Sequence, residues 1–313
     1  VHVATEGPLG WSAVRTARRL GLPLTSDFRT NFHAYTGHYG LGWLRAPILG
    51  YLRAFHNRTA ATTVPTDALR RSLQREGFEG LQVVSRGVDV ARFDPALRSD
   101  ALRRAWGAAA DTPVLLYVGR LAAEKNLPLL VRSFEAVRAA QPQARLVLVG
   151  DGPLRPRLEA ALPDAHFAGP RHGRDLAAHY ASADLFVFPS LTETFGNVVA
   201  EAMASALAVV AFDEAAAAQW IEPGLSGALA ARGNDVQFVR HAVALAGSAA
   251  TRRAIGERAR RRAQAHGWDA VLAAFEAMLQ RAVDGAAATP APASAPLAAT
   301  PAARRPVRAR AAR

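Results

Sequence analysis

The sequence predicts an α/β architecture of two doubly wound domains, each a parallel sheet with helices on both faces, the first of them truncated. Three observations predict it. Short apolar runs alternate with amphipathic helical patterns through two separate stretches of the 313-residue chain. Runs such as residues 146–149 and 185–188 are apolar without alternation, as strands covered on both faces are. Between the stretches lies "RGVDVARFDP", residues 86–95, which reads as an inter-domain connection.

In the first stretch "VHVAT" reads as a strand, residues 11–20 as a helix and "LPLTSDF" as a strand. Residues 45–58 follow as a helix, "TAATTV" as a strand, and residues 66–76 as a helix opened by a Thr-Asp cap signal. The second stretch runs "PVLLYVG", helix 127–140, "ARLVLVG", helix 154–161 and a short "AHFAG". Helix 175–182, "DLFVFPS", helix 196–204 and "LAVVAF" come next, then helices 235–247, 251–266 and 268–283. From Gly285 the chain is Ala/Pro-rich and low in complexity, so residues 285–313 are expected to be disordered. About three strands stand in the first stretch where a doubly wound domain has five or six, and the chain opens on Val1 inside a strand. A missing N-terminal part is therefore expected.

Composition narrows the function. There is no cysteine, which excludes a disulfide framework and thiolate zinc sites and suits a reducing compartment. Nine histidines are scattered without an HExxH pair, so no metal site is expected. No apolar run reaches the roughly 20 residues that span a bilayer, and the start lacks the pattern of a signal peptide. A cytoplasmic protein is the expectation. The formal charge is +12, five units of it in the arginines of the tail, leaving a basic body suited to anionic partners or merely rich in arginine.

Three segments carry chemistry. "LTETFGNVVAEAMA", residues 191–204, follows a buried strand and opens a helix, with Glu193 at its lip and Glu201 on its second turn. Free N–H groups of Phe195, Gly196 and Asn197 at that helix start attract anions, and carboxylates accept from sugar and ribose hydroxyls. "VGRLAAEKN", residues 118–126, sets Gly119, Arg120 and Lys125 at another strand's carboxyl end, where a guanidinium fork and a point charge can clamp a diphosphate. "VGDGP", residues 149–153, is a Gly-rich turn in which Gly152 admits close backbone approach. Each segment alone is weak: a glutamate on a helix is usually a solvated surface residue. A paired-carboxylate hydrolase is also conceivable, although that chemistry needs no cationic clamp.

Taken together these segments resemble the retaining glycosyltransferases of family 4, with the GT-B fold of two Rossmann-like domains. The resemblance runs to about residue 283 and is strongest over residues 114–227, where the E-x7-E element Glu193 to Glu201 is the family signature. "SDFRTNFHAYTGHYGLGWL", residues 26–44, and "RGVDVARFDP" look like the bacterial and plastid branch that transfers mannose, glucose or sulfoquinovose to membrane lipids or related cell-envelope polymers. The resemblance implies an acceptor-side domain over residues 1–94, a nucleotide-sugar domain over 95–267 and a helix over 268–284 crossing back to the first domain. It implies that Arg120 and Lys125 hold the donor diphosphate without a metal, that Glu193 binds the donor sugar and that Glu201 grips the ribose. Gly119, Gly152, Phe195, Gly196 and Asn197 fall in the donor-binding set, and residues 166–169 pass near the nucleobase.

Three departures stand out. The branch commonly reads His-Thr-Asn/Asp-Phe where this chain has Arg29, with His33 four residues on as a substitute or an ordinary surface histidine. The family's N-terminal Gly-rich loop is missing, and its Gly-Gly-x-x-Glu appears as Ala215, Ala216 and Gln219. The expected partners are a GDP- or UDP-sugar donor and a lipid or glycan acceptor, with peripheral contact at the inner face of an anionic cytoplasmic membrane. The alternative is a non-catalytic nucleotide-sugar-binding remnant. Nucleic acid is not expected, because the basic tail has no aromatic interleaving.

Overall fold

A computed structural model describes residues 1–28 and 45–287. The first stretch forms strand β1 (His2–Val3), helix α1 (Pro8–Arg19), β2 (Thr25–Asp27), α2 (Arg45–His56), β3 (Ala61–Val64), α3 (Asp67–Arg75) and β4 (Leu81–Val83). The four strands pair in parallel in the order β1-β2-β3-β4. Thr66 caps α3, its side chain accepting from the Leu69 N–H at 3.2 Å, as the Thr-Asp signal predicts. The sequence reading has three strands here. The fourth, Leu81–Val83, is three residues long with no buried residue, too short for a period to show.

The second stretch runs α4 (Asp100–Ala105), β5 (Val114–Val118), α5 (Leu127–Ala140), β6 (Arg145–Val149), α6 (Arg155–Ala161), β7 (His166–Gly169), α7 (Gly173–Ser182) and β8 (Leu185–Phe188). Then come α8 (Asn197–Ala204), β9 (Ala208–Phe212), α9 (Ala215–Trp220), β10 (Ala228–Ala230), α10 (Asp235–Ala246), α11 (Ala249–Gln264) and α12 (Trp268–Ala287). Six parallel strands stand in the order β10-β9-β8-β5-β6-β7. β5, β8 and β9 are buried at every position, which is why their sequences read as unbroken apolar runs. Elements α4, α9 and β10 are absent from the sequence reading, and α12 runs past the boundary at 284.

Among the described residues the first domain carries two small cores, one around Phe28, Val64 and Phe78 and one around Val14, Leu24 and Phe55. The second has a single larger core that includes Tyr117, Tyr180, Phe186 and Trp220. Helix α12 returns to the first domain, where Phe275 meets the His2 ring edge-on at 5.1 Å and Arg281 donates to Gln82 at 2.8 Å. Trp268 packs against Gly87, and the Val88 N–H donates to the His266 carbonyl at 3.3 Å.

A buried ion pair holds the amino end of the second sheet. Arg103 donates to Asp184 at 2.9 Å and to the carbonyls of Ser182, Ala109 and Thr112. Asp184 also accepts from Arg98 and from the Val114 N–H, so both of its oxygens are occupied.

Candidate active site

The strand order places the site. From β5 the chain builds β6 and β7 on one side, then crosses back to lay β8, β9 and β10 on the other. The carboxyl ends of β5 and β8 therefore flank the switch point where open α/β sheets bind ligands. β5 and β8 are direct neighbours, with Leu115 opposite Leu185 and Leu116 opposite Phe186. This adjacency brings "VGRLAAEKN" and "LTETFGN" together. Thr192 ties the two loops by donating to the Glu124 carbonyl at 3.1 Å.

Between them lies a cleft of about 450 Å³ whose lining includes Gly119, Arg120, Lys125, Glu193, Phe195, Gly196 and Asn197. The Lys125 ammonium donates to Glu193, which also accepts from Ser190 at 2.7 Å. Lys125 is only 14% exposed, so this charge is presented in a fixed direction. Arg120 is 61% exposed and reaches Glu124 at 3.4 Å, leaving its fork open to the cleft. The Tyr117 hydroxyl donates to the Arg120 carbonyl at 3.0 Å and fixes the backbone there. Burial, reinforced by the Glu193 and Glu124 carboxylates, holds that phenol protonated far above its ordinary range.

Gly196 takes φ +87° to turn the chain into α8, a conformation that an L side chain resists. Among the described residues no protein acceptor takes the N–H groups of Phe195, Gly196 and Asn197, so the helix start presents free donors to the cleft. The Phe195 ring itself is core, edge-on to Trp220 at 5.7 Å, so only its backbone is available to a ligand.

Glu201 stands apart. It is not among the cleft-lining residues; the buried Tyr180 hydroxyl donates to it at 2.9 Å. Burial raises its pKa above the ordinary 4.5, while the Tyr180 hydrogen bond and the Arg92 charge pull the other way. Below pH 4.5 the carboxyl is protonated folded or unfolded. Above it the unfolded chain ionises first, the folded state binds more protons, and this group's contribution to stability falls as pH rises through the folded pKa. Glu201→Gln keeps an acceptor for Tyr180 and removes that slope. Thermal melts should show the variant gaining on the wild type as pH rises above 4.5; a difference independent of pH would contradict this.

Two further expected positions have a structural explanation. What approaches Gly152 is the chain itself: a Cβ there would lie 2.5 Å from the Leu121 carbonyl oxygen, and the Leu121 and Leu154 N–H groups cross-link the two loops. Gly152 is not among the lining residues of the cleft. His166 opens β7 with its ring 6.3 Å from that of Trp106, so of residues 166–169 it is Gly169 that stands at the carboxyl edge. Arg29 and His33 lie outside the described residues.

Residues 112–248 match the family described as glycosyl transferases group 1, and residues 1–92 match the one described as glycosyltransferase family 4. A GDP-mannose-dependent alpha-mannosyltransferase of Mycolicibacterium smegmatis is 36% identical over 287 residues, covering 90% of this chain and 74% of that protein. The chain belongs to glycosyltransferase family 4. A GDP-mannose-dependent alpha-mannosyltransferase of Mycobacterium tuberculosis is 38% identical over 73% of this chain, and the sulfoquinovosyl transferase of Arabidopsis thaliana is 32% identical over 86%. The chain spans 59% and 54% of the length of these two relatives. Sucrose-phosphate synthase from Thermosynechococcus elongatus superposes with a TM-score of 0.77 over 92% of this chain and 74% of that one, at 23% identity. The fold is GT-B.

Within family 4 the departure at Ala215, where a glycine is usual, has a backbone consequence. Ala215 takes φ +51°, the left-handed region, as it starts α9. An L residue there costs roughly 1–2 kcal/mol, part of which glycine recovers against its greater freedom in the unfolded chain. Ala215→Gly should therefore stabilise by about 0.5–1 kcal/mol in denaturant melts. A loss of stability would show that the turn is not strained.

Proposed function

We propose that the protein is a retaining glycosyltransferase that moves a hexose, of the mannose or glucose type, from a nucleoside-diphosphate sugar to a lipid, lipid-linked or polysaccharide acceptor. One observation carries the reading: at the switch point of the second sheet, Arg120, Lys125 and three unpartnered N–H groups face the same cleft as Glu193. The donor diphosphate sits on the cations and the helix start, and Glu193 accepts hydrogen bonds from the sugar hydroxyls. The acceptor oxygen bonds to the anomeric carbon on the face that the nucleotide leaves, as the carbon–oxygen bond to the diphosphate breaks. A phosphate oxygen takes the acceptor's proton. Arg120 and Lys125 stabilise the charge that grows on the leaving diphosphate, the task a divalent cation would otherwise perform. The names of the mycobacterial relatives favour GDP-mannose as donor.

A thermal-shift screen of nucleoside diphosphates and their sugars tests this, because a ligand that binds the folded state raises the melting temperature. GDP or UDP and one of their sugars should stabilise the chain, and the ranking names the donor. No shift with any of them would contradict the reading. Donor binding without transfer to any lipid or glycan would instead favour the nucleotide-sugar-binding remnant.

The acceptor belongs, in this reading, at an anionic membrane face. No helix of the described residues is long and apolar enough to cross a membrane. On α1 and beside it, Arg15, Arg18, Arg19 and Arg58 crowd around Trp11, with Leu9, Leu20 and Leu22 exposed nearby. Among the described residues no carboxylate pairs with Arg15, Arg18 or Arg19. At about 1 kcal/mol per basic residue near an anionic surface, reversing these three charges to glutamate should weaken vesicle binding by 10²-fold or more. Equal retention on neutral vesicles, or retention that ignores salt, would contradict the membrane placement.

A further inference from the structure

A third cation lines the cleft, and it comes from the connection between the two sheets. Arg86 follows β4 on the connection between the sheets, whereas Arg120, Lys125 and the glutamates all come from the second domain. We propose that Arg86 is a diphosphate-gripping residue that supplies the cleft's excess positive charge and ties donor binding to the seating of one domain on the other. This rests on the donor-cleft reading above.

Charge is the first argument. Lys125 already faces Glu193, and Arg120 faces Glu124, so these four side chains balance. A bound diphosphate brings two or more negative charges to lining groups that, among the described residues, would otherwise sum to zero. Arg86 is the residue among the described lining side chains that makes that sum positive. Among the described residues it has no ion pair and no hydrogen bond, so its donors are free. A guanidinium presents them as a flat fork that matches two phosphate oxygens at once.

Placement is the second argument. Both sides of Arg86 are anchored beyond the first domain. Gln219 donates to the Ser85 hydroxyl at 3.4 Å, Trp268 packs on Gly87, and Val88 donates to the His266 carbonyl at 3.3 Å. The connection is therefore held against the second domain on either side of the arginine, which keeps Arg86 among the residues lining the cleft.

Isothermal titration of the full chain with UDP and GDP, and with uridine and guanosine, tests the proposal in the wild type, Arg86→Gln and Arg86→Lys. Arg86→Gln should bind the preferred diphosphate at least tenfold more weakly, with a shallower salt dependence and unchanged affinity for the nucleoside. Arg86→Lys should recover part of the loss. Unchanged diphosphate affinity in Arg86→Gln overturns the inference while leaving the donor cleft standing. An equal loss for diphosphate and nucleoside overturns it as well, because that marks a structural role. A wild-type chain that binds no nucleotide overturns the donor-cleft reading and this inference with it.

Discussion

Lys125→Met should lower kcat by about 10²–10³-fold with the donor that stabilises the chain best, the usual cost of removing one preorganised donor to a developing negative charge. Lys125 is the most sharply aimed cation of the cleft: it is largely buried, paired to Glu193 and set over the Phe188 ring at 5.9 Å. Methionine keeps the bulk of the side chain and removes the charge, so the fold should survive. The pair also predicts non-additivity. Glu193→Gln alone should remove the proposed sugar contact and loosen the lysine, so part of its effect should disappear once Lys125 is gone, with a coupling of roughly 0.5–3 kcal/mol. Rates within a few-fold of wild type for Lys125→Met would place the leaving group elsewhere.

Asp184→Ala should destabilise the chain by about 3–5 kcal/mol, because it strands the buried Arg103 guanidinium without its counter-charge. The same change leaves the Val114 N–H and Arg98 without their carboxylate acceptor at the start of the second sheet. Asp184 precedes β8, at the end of the sheet opposite the cleft. The loss should therefore appear in chemical denaturation, while the fraction that remains folded binds the donor as the wild type does. Together the two variants separate the stability of the second domain from its chemistry. A drop under about 1 kcal/mol would mean that the pair is solvated as surface ion pairs are.

Much of the second domain was legible because burial and periodicity agree there. Helix Leu127–Ala140 has the bounds its sequence pattern implies, and β5, β8 and β9 appear as the unbroken apolar runs that mark them. What escaped reading was short or without contrast. Leu81–Val83 and Ala228–Ala230 have three residues each, and helix Ala215–Trp220 begins with four alanines that show no polar–apolar period.

The site was legible as chemistry rather than as geometry. Nothing local to Lys125 or Glu193 announces that they touch; the crossing of the chain from β7 back to β8 does that. The two glutamates of the signature, expected on one crevice, separate: Glu193 lines the cleft, and Glu201 turns toward Tyr180. Gly152 admits a close backbone approach, as its sequence context suggests, and the chain that approaches it is the loop at Leu121. Arg86 opens a segment whose sequence reads only as a connection. Its signal was a cation close after the last strand of a parallel sheet, at the edge where such sheets bind ligands.

A crystal structure of the chain with bound GDP or UDP tests the central claim most directly. The account predicts phosphate oxygens within about 3 Å of the Arg120 and Lys125 side-chain nitrogens and of the N–H groups that open α8, with Glu193 beside the vacated sugar position. A nucleotide lodged away from the β5–β8 switch point, or cations turned from it into solvent, would contradict the account.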